Sequence, residues 1–152
     1  MSPLVPLTLL AILAITGAIS DLLSRKIPNW LTLLTLLVGI AFLFTAGSWS
    51  EVWPHLAHFA VALIVSMTLF AFGMWGGGDA KFYSALAIWF PLSNGPLLAL
   101  SVAVAGVIVI VLLALWTRFR PRENWSKEVP YGVAIATGAL ATTLLVALRQ
   151  SA

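Results

Sequence analysis

The sequence predicts an all-α, polytopic integral membrane protein with about six transmembrane helices, and three observations carry that prediction. The first is composition: of 152 residues, 61% are hydrophobic and 9% charged, whereas soluble domains average roughly 45–50% apolar and about 25% charged residues. The second is segmentation, because apolar runs are interrupted at regular intervals by charge, Gly, Pro and Asn. The third is the placement of the seven tryptophans at 30, 49, 53, 75, 89, 116 and 125. All fall at the ends of those runs or between them, as in the aromatic belts of membrane proteins. A water-soluble core of this size cannot hide so much apolar surface, so a soluble enzyme, a nucleic-acid-binding domain and a disordered tail are excluded.

The runs are Leu4–Ser20, Trp30–Ala46, His55–Phe72, Ala80–Pro91, Pro96–Thr117 and Tyr131–Leu148. Five are near the short end of the roughly 17–25 residues that cross a bilayer. The fourth is too short to cross upright and is bounded by Gly-rich and Pro-Leu-Ser-Asn-Gly-Pro sequence, so it is expected to tilt or to be buried against its neighbours. Asn29, after Pro28, is positioned to cap the second helix. Pro54 and Pro130 are placed where a helix can start without losing an internal hydrogen bond. No Lys or Arg precedes the first run, which argues against a cleavable signal peptide. The whole chain, 1–152, reads as one membrane-embedded domain.

The charges then orient the spans. The first, third and fifth connections hold Arg25 and Lys26, then Lys81, then Arg118, Arg120, Arg122 and Lys127; the rest of the chain holds only Arg149. By the positive-inside rule the odd connections are cytoplasmic and both termini lie on the outer, periplasmic side. The pI of about 9.8 therefore reports topology and no nucleic-acid partner. The expected partner is the lipid bilayer, whose anionic head groups Arg118–Lys127 would contact. With no cysteine in the chain, neither a disulfide nor a thiolate metal site is available.

Only two aspartates occur, Asp21 and Asp79. The topology brings both to cytoplasmic ends of spans, at one membrane depth. A carboxylate in that position is costly and a functional candidate. Asp79 ends the run Gly73-Met-Trp-Gly-Gly-Gly-Asp79, and a Gly cluster interrupts a helix and admits a second backbone at close range. Two carboxylates close together do not both ionise readily. The ionised one takes a proton from water while the protonated one polarises a carbonyl and later protonates the leaving amine. No cofactor or metal is needed, and no Ser/His/Asp or Cys/His set competes.

At these residues the chain resembles a known family. Gly76-Gly77-Gly78-Asp79-Ala80-Lys81 fits the G-x-G-D-x-K signature of the GxGD membrane aspartic proteases. Asp21-Leu-Leu-Ser-Arg-Lys-Ile-Pro-Asn29 is similar to the D-x5-I-P-N segment of type IV prepilin peptidases, and Pro130-Tyr-Gly-Val-Ala134 to the P-Y-G-x-A stretch of their last span. The resemblance implies a bacterial inner-membrane peptidase that removes the basic leader of a prepilin at the cytoplasmic face, cutting after a Gly just ahead of the pilin's hydrophobic helix. It implies Asp21 and Asp79 as the catalytic residues. Longer members carry a cysteine-containing metal-binding insert and also N-methylate the new terminus. This chain lacks that insert, which argues against methyltransferase activity, and it is similar to the short Flp/Tad-type enzymes, whose substrate is a Flp-type prepilin.

Candidates for supporting roles are Gly76 and Gly78, which would receive the substrate backbone, and Lys81, Arg25, Asn29 and Tyr131; Arg25 reads first as a topology-setting charge, Asn29 first as a helix cap, and Tyr131 equally as a residue of the aromatic belt. For Lys81 a topology-setting lysine and an influence on the carboxylates stand level. His55 and His58 share one helical face, a spacing open to a metal, but read better as an interfacial pair on the outer side. Two rivals are a protease of the signal-peptide-peptidase kind, which usually has Tyr before the first Asp where this chain has Ser20, and an ion-coupled transporter or scaffold subunit, which would show internal repeats and midplane carboxylates.

Overall fold

The structure is a computed structural model that describes residues 4–45, 48–119 and 129–151. Its described residues form six α-helices and one short 3-10 turn, with no strand: α1 (Leu4–Ser24), α2 (Asn29–Thr45), α3 (Trp49–Ala71), α4 (Gly77–Ala87), the turn Leu92–Asn94, α5 (Gly95–Phe119) and α6 (Tyr131–Ser151). Four stretches, Val5–Ser24, Trp49–Ala71, Leu92–Trp116 and Tyr131–Arg149, are long and apolar enough to cross a membrane; α2 is apolar but has 17 residues. The large apolar side chains of α5, among them Leu100, Val107 and Leu112, stand exposed. Such a surface suits lipid and would not suit water.

The short α4 is the axle of the molecule. Ala80 and the run from Phe82 to Ile88 are all buried, and between them only Lys81 reaches the surface. Helices α1, α2, α3 and α6 pack around it, while α5 packs on α6. Lipid is as apolar as the helices, so close van der Waals packing has to hold the bundle, and small residues permit it. A Cβ at Gly17 of α1 would run into the Phe82 ring, and one at Gly138 of α6 would stand 2.6 Å from the Val102 backbone of α5.

Polar contacts fix α4 at both ends. Near its start, the Ser66 hydroxyl donates to the Ala80 carbonyl (3.1 Å) and pairs with Ser84 (3.0 Å). Beyond its end, the Nδ1–H groups of His55 and His58 donate to the carbonyls of Ile88 (2.8 Å) and Phe90 (2.9 Å). Trp89 Nε1 donates to the Thr35 carbonyl of α2 (3.1 Å). The histidines thus face into the bundle. His58 is 3% exposed, and both serve carbonyls left free where α4 stops, the usual need of a buried helix end.

Three other expectations change. Helix α3 starts at Trp49, so Pro54 lies inside it instead of opening it. Asn29 is the first residue of α2, where the Pro28 carbonyl accepts from the Leu31 and Thr32 N–H groups, and the Asn29 side chain forms no capping bond. Gly77 and Gly78 belong to the first turn of α4, and only the stretch from Gly73 to Gly76 breaks the chain. A first turn tolerates Gly because its N–H groups have no intrahelical partner in any case. Of the basic cluster, Arg118 is exposed; Arg120, Arg122 and Lys127, with Trp125, lie outside the described residues.

Candidate functional site

Asp21 sits in the last turn of α1. The helix stops just after it: Arg25 adopts a left-handed conformation (φ 55°) while its N–H still donates to the Asp21 carbonyl at 2.9 Å. The Ser20 and Ser24 hydroxyls both donate to the Lys26 carbonyl, at 2.9 and 3.1 Å, and tie down the turn. The Asp21 side chain points inward, 5% exposed, and its Oδ2 accepts the N–H of Gly132 at 2.8 Å. Gly132 is in the first turn of α6, so Asp21 caps another helix across 111 residues of sequence. Free N–H groups and the positive end of a helix dipole make that a favourable seat for a carboxylate. Only Gly fits beside it. A Cβ at 132 would stand 2.8 Å from Asp21 Cβ and 2.9 Å from both Asp21 Oδ2 and Ile27 Cδ1.

Asp79 reaches the same place from the other direction. After α3 the chain turns through Gly73 (φ 71°), with the Gly73 and Met74 N–H groups bonded to the Phe70 and Leu69 carbonyls, each at 2.9 Å. Gly76 is the N-cap of α4 and Asp79 its third residue. From that position a carboxylate folds back towards the cap, as the acidic member of a capping box does. A Cβ at Gly76 would stand only 2.7 Å from Asp79 Oδ2. The Asp79 carboxyl is pushed up to about 6, first by burial and then by the charge of Asp21, with the Gly76 N–H opposing both. Asp79 lies outside the four long apolar stretches.

Both aspartates line one cavity of about 570 Å³. Gly76, Gly78, Arg25, Asn29 and Tyr131 line it too, so seven of the eight residues singled out from the sequence are brought together. Lys81 is not. It is exposed and lines a separate groove with Thr32, Leu33 and Phe59, between α2 and α3. Sequence reasoning assigned no role to Gly132, whose N–H holds Asp21, or to Ile27 and Trp75. Trp75 forms a wall of the cavity, its ring packed edge-on against Tyr83 (5.4 Å between centroids) and tilted against Tyr131 (6.5 Å). The Gly beside Tyr131 and the Trp ahead of the Gly run were the available signals. Chemically, the cavity offers two carboxyl groups, one of them inclined to keep its proton, a glycine-lined wall and nearby cations.

A family model described as the type IV leader peptidase family matches residues 8–117. The matched stretch includes both aspartates and stops short of α6. No curated protein and no solved structure matches the chain.

Proposed function

The chain belongs to the type IV leader peptidase family and is a peptidase of the membrane; from that premise we propose that it is an aspartic endopeptidase in which Asp21 and Asp79 activate water to remove the leader of a Flp-type prepilin. The observation that carries the reading is the shared cavity. Two carboxyl groups from different helices line it, and the charge of one raises the proton affinity of the other.

The pair holds one proton between its two carboxyl groups, because two neighbouring carboxylates do not readily ionise together. Its ionised member removes a proton from water, and the resulting hydroxide attacks the scissile carbonyl carbon. The protonated member donates to the carbonyl oxygen as the tetrahedral intermediate forms. On collapse the C–N bond breaks and the leaving amine takes a proton from the pair. The substrate backbone is extended along Gly76–Gly78, where the absence of side chains admits it. Ionisation belongs to the pair, and neither residue alone is named acid or base.

In this reading residues 1–152 form one peptidase domain. The six apolar runs are embedded in the inner membrane of a bacterium with Asp21 and Asp79 at their cytoplasmic ends, both termini lie outside, and the active site faces the cytoplasm. The sidedness of the Lys and Arg residues supports that orientation. Arg25 and Lys26 stand at the cavity mouth.

Co-expression with a candidate prepilin tests the proposal through the size shift of leader removal. Wild type should cleave, and Asp21→Ala and Asp79→Ala should not. Cleavage that persists in either variant would remove the two-aspartate mechanism, and Asn at the same positions separates loss of charge from loss of volume.

A further inference from the structure

A second opening adjoins the carboxylate cavity. It is an apolar groove of about 340 Å³ running between α3 and α5. Leu69 and Val65 line one side and Ala99, Ala103 and Gly106 the other, with Tyr83 and Ala134 at the base. Trp75 and Tyr131 belong to both openings, so a chain leaving the carboxylates past these rings enters the groove directly. Along α5 the groove extends from Ala99 to Ile110, about 16 Å at ~1.5 Å per residue, which is three turns of a helix. Small residues facing it at 99, 103 and 106 would let a second helix approach closely.

Tyr83 is a second and independent sign of an occupant. It is only 8% exposed, and its hydroxyl makes no hydrogen bond within the described structure. Among the described residues every fully enclosed polar side-chain atom has a partner, so this hydroxyl keeps an opening. The groove is the cavity that Tyr83 lines. Apolar lipid in the groove offers that hydroxyl no acceptor, and a ligand that supplies one adds a hydrogen bond.

We propose that this groove holds the apolar membrane helix of the substrate while the adjoining cleavage site lies extended between Asp21 and Asp79. The inference rests on the peptidase reading and adds where the uncleaved part of the substrate sits. The substrate it fits is a single-span protein whose apolar helix begins immediately beside the scissile bond. Trp75 and Tyr131 mark the change from extended chain to helix, and Tyr83 donates to a polar group or free carbonyl of that helix. Val65, Val107 and Ile110 on its rim are exposed, so the helix enters sideways from the bilayer without threading.

The test compares two substrates on the purified full-length enzyme: an intact prepilin in detergent, and a soluble peptide spanning the cleavage site but lacking the apolar helix. Ala103→Trp fills the groove from an exposed position, so it should fold. It should lower the ratio of prepilin to peptide kcat/KM by about tenfold or more, since an overfilled packing surface costs roughly 1–3 kcal/mol. Tyr83→Phe should lower the same ratio by about fivefold, the value of one hydrogen bond. Leu37→Trp, on an exposed part of α2 lining neither opening, should leave it within about twofold. Equal losses on both substrates, or an unchanged ratio in Ala103→Trp, would overturn the groove while leaving the peptidase reading intact. Failure of the wild type to cleave either substrate would overturn both. A photocrosslinker at 103 in the Asp79→Asn enzyme should capture the prepilin helix, and capture of lipid alone would count against the proposal.

Discussion

Asp21 and Asp79 meet in one cavity but are held there by opposite means. Asp21 ends its helix, is almost wholly buried and takes its hydrogen bond from Gly132, more than a hundred residues away. Asp79 begins its helix, is more accessible to solvent than Asp21 and has the local Gly76 N–H against the effects of burial and of the Asp21 charge. One carboxylate is therefore part of the architecture, capping α6. The other is attached to a glycine turn and is freer to change its protonation. A peptidase built on such a pair has one fixed and one adjustable member, and each can be disturbed separately.

The largest effect comes from removing either group. Asp21→Asn and Asp79→Asn should each lower cleavage by about a thousandfold or more, within the range for loss of a general acid or base. Stability should divide them. Asp21→Ala leaves the first turn of α6 without its cap and should cost about 1 kcal/mol, seen as a lower thermal midpoint in detergent. Asp79→Ala should cost less, because the only bond it removes is the local one from the Gly76 N–H and burial already disfavours its charge. Equal destabilisation by the two would contradict the asymmetry.

The two glycines sharpen the same contrast at smaller amplitude. In Gly132→Ala the new methyl meets Asp21 Cβ and Oδ2 and also Ile27, and none of these can withdraw far in a buried turn. Cleavage should drop by about a hundredfold, with a stability loss of roughly 1–3 kcal/mol. In Gly76→Ala the methyl meets only the end of the Asp79 side chain, which can rotate. The backbone at 76 (φ −73°, ψ 145°) suits Ala. Here cleavage should fall by about tenfold and the thermal midpoint should hold.

How far the sequence discloses this site follows from the kind of group involved. The aspartates are legible because a chain with so few charges makes each carboxylate conspicuous, and their common side follows from the basic residues around them. The Gly132 N–H is not legible, since every residue but proline carries that donor and only the fold selects one. The partners of His55 and His58 are hidden for a related reason: the carbonyls of Ile88 and Phe90 lie more than thirty residues along the chain. Helix α4 was legible as an oddity, too short to cross, though its place at the centre of the bundle depends on four other helices.

The pH dependence reads the pair directly. Asp79 lies at about 6, above the ordinary carboxylate range. As pH rises through that value the last proton leaves the pair, and no donor remains for the scissile carbonyl. Cleavage should therefore decline on the alkaline side from near pH 6, and at strongly acid pH it should decline again as both groups protonate. In Asp21→Asn the neighbouring charge is gone while burial remains. Titration of Asp79, followed by carbon NMR of labelled aspartate, should shift to lower pH without reaching the value of an exposed aspartate. No shift would mean that the two groups do not sense each other across the cavity.

Lys81 supplies the smallest effect and a clean boundary to the site. Successive residues on a helix are about 100° apart, so a residue two positions beyond Asp79 projects to nearly the opposite side. Starting the helix at Ala80 hides this relation; starting it at Gly77, as observed, makes it plain. The side chain accordingly lies with Thr32 and Phe59 on the far side of α4. Lys81→Met should keep cleavage within about twofold and leave the alkaline limb where it is. A shift of that limb to higher pH, as expected if a cation near Asp79 had been removed, would bring Lys81 back into contact with the carboxylates.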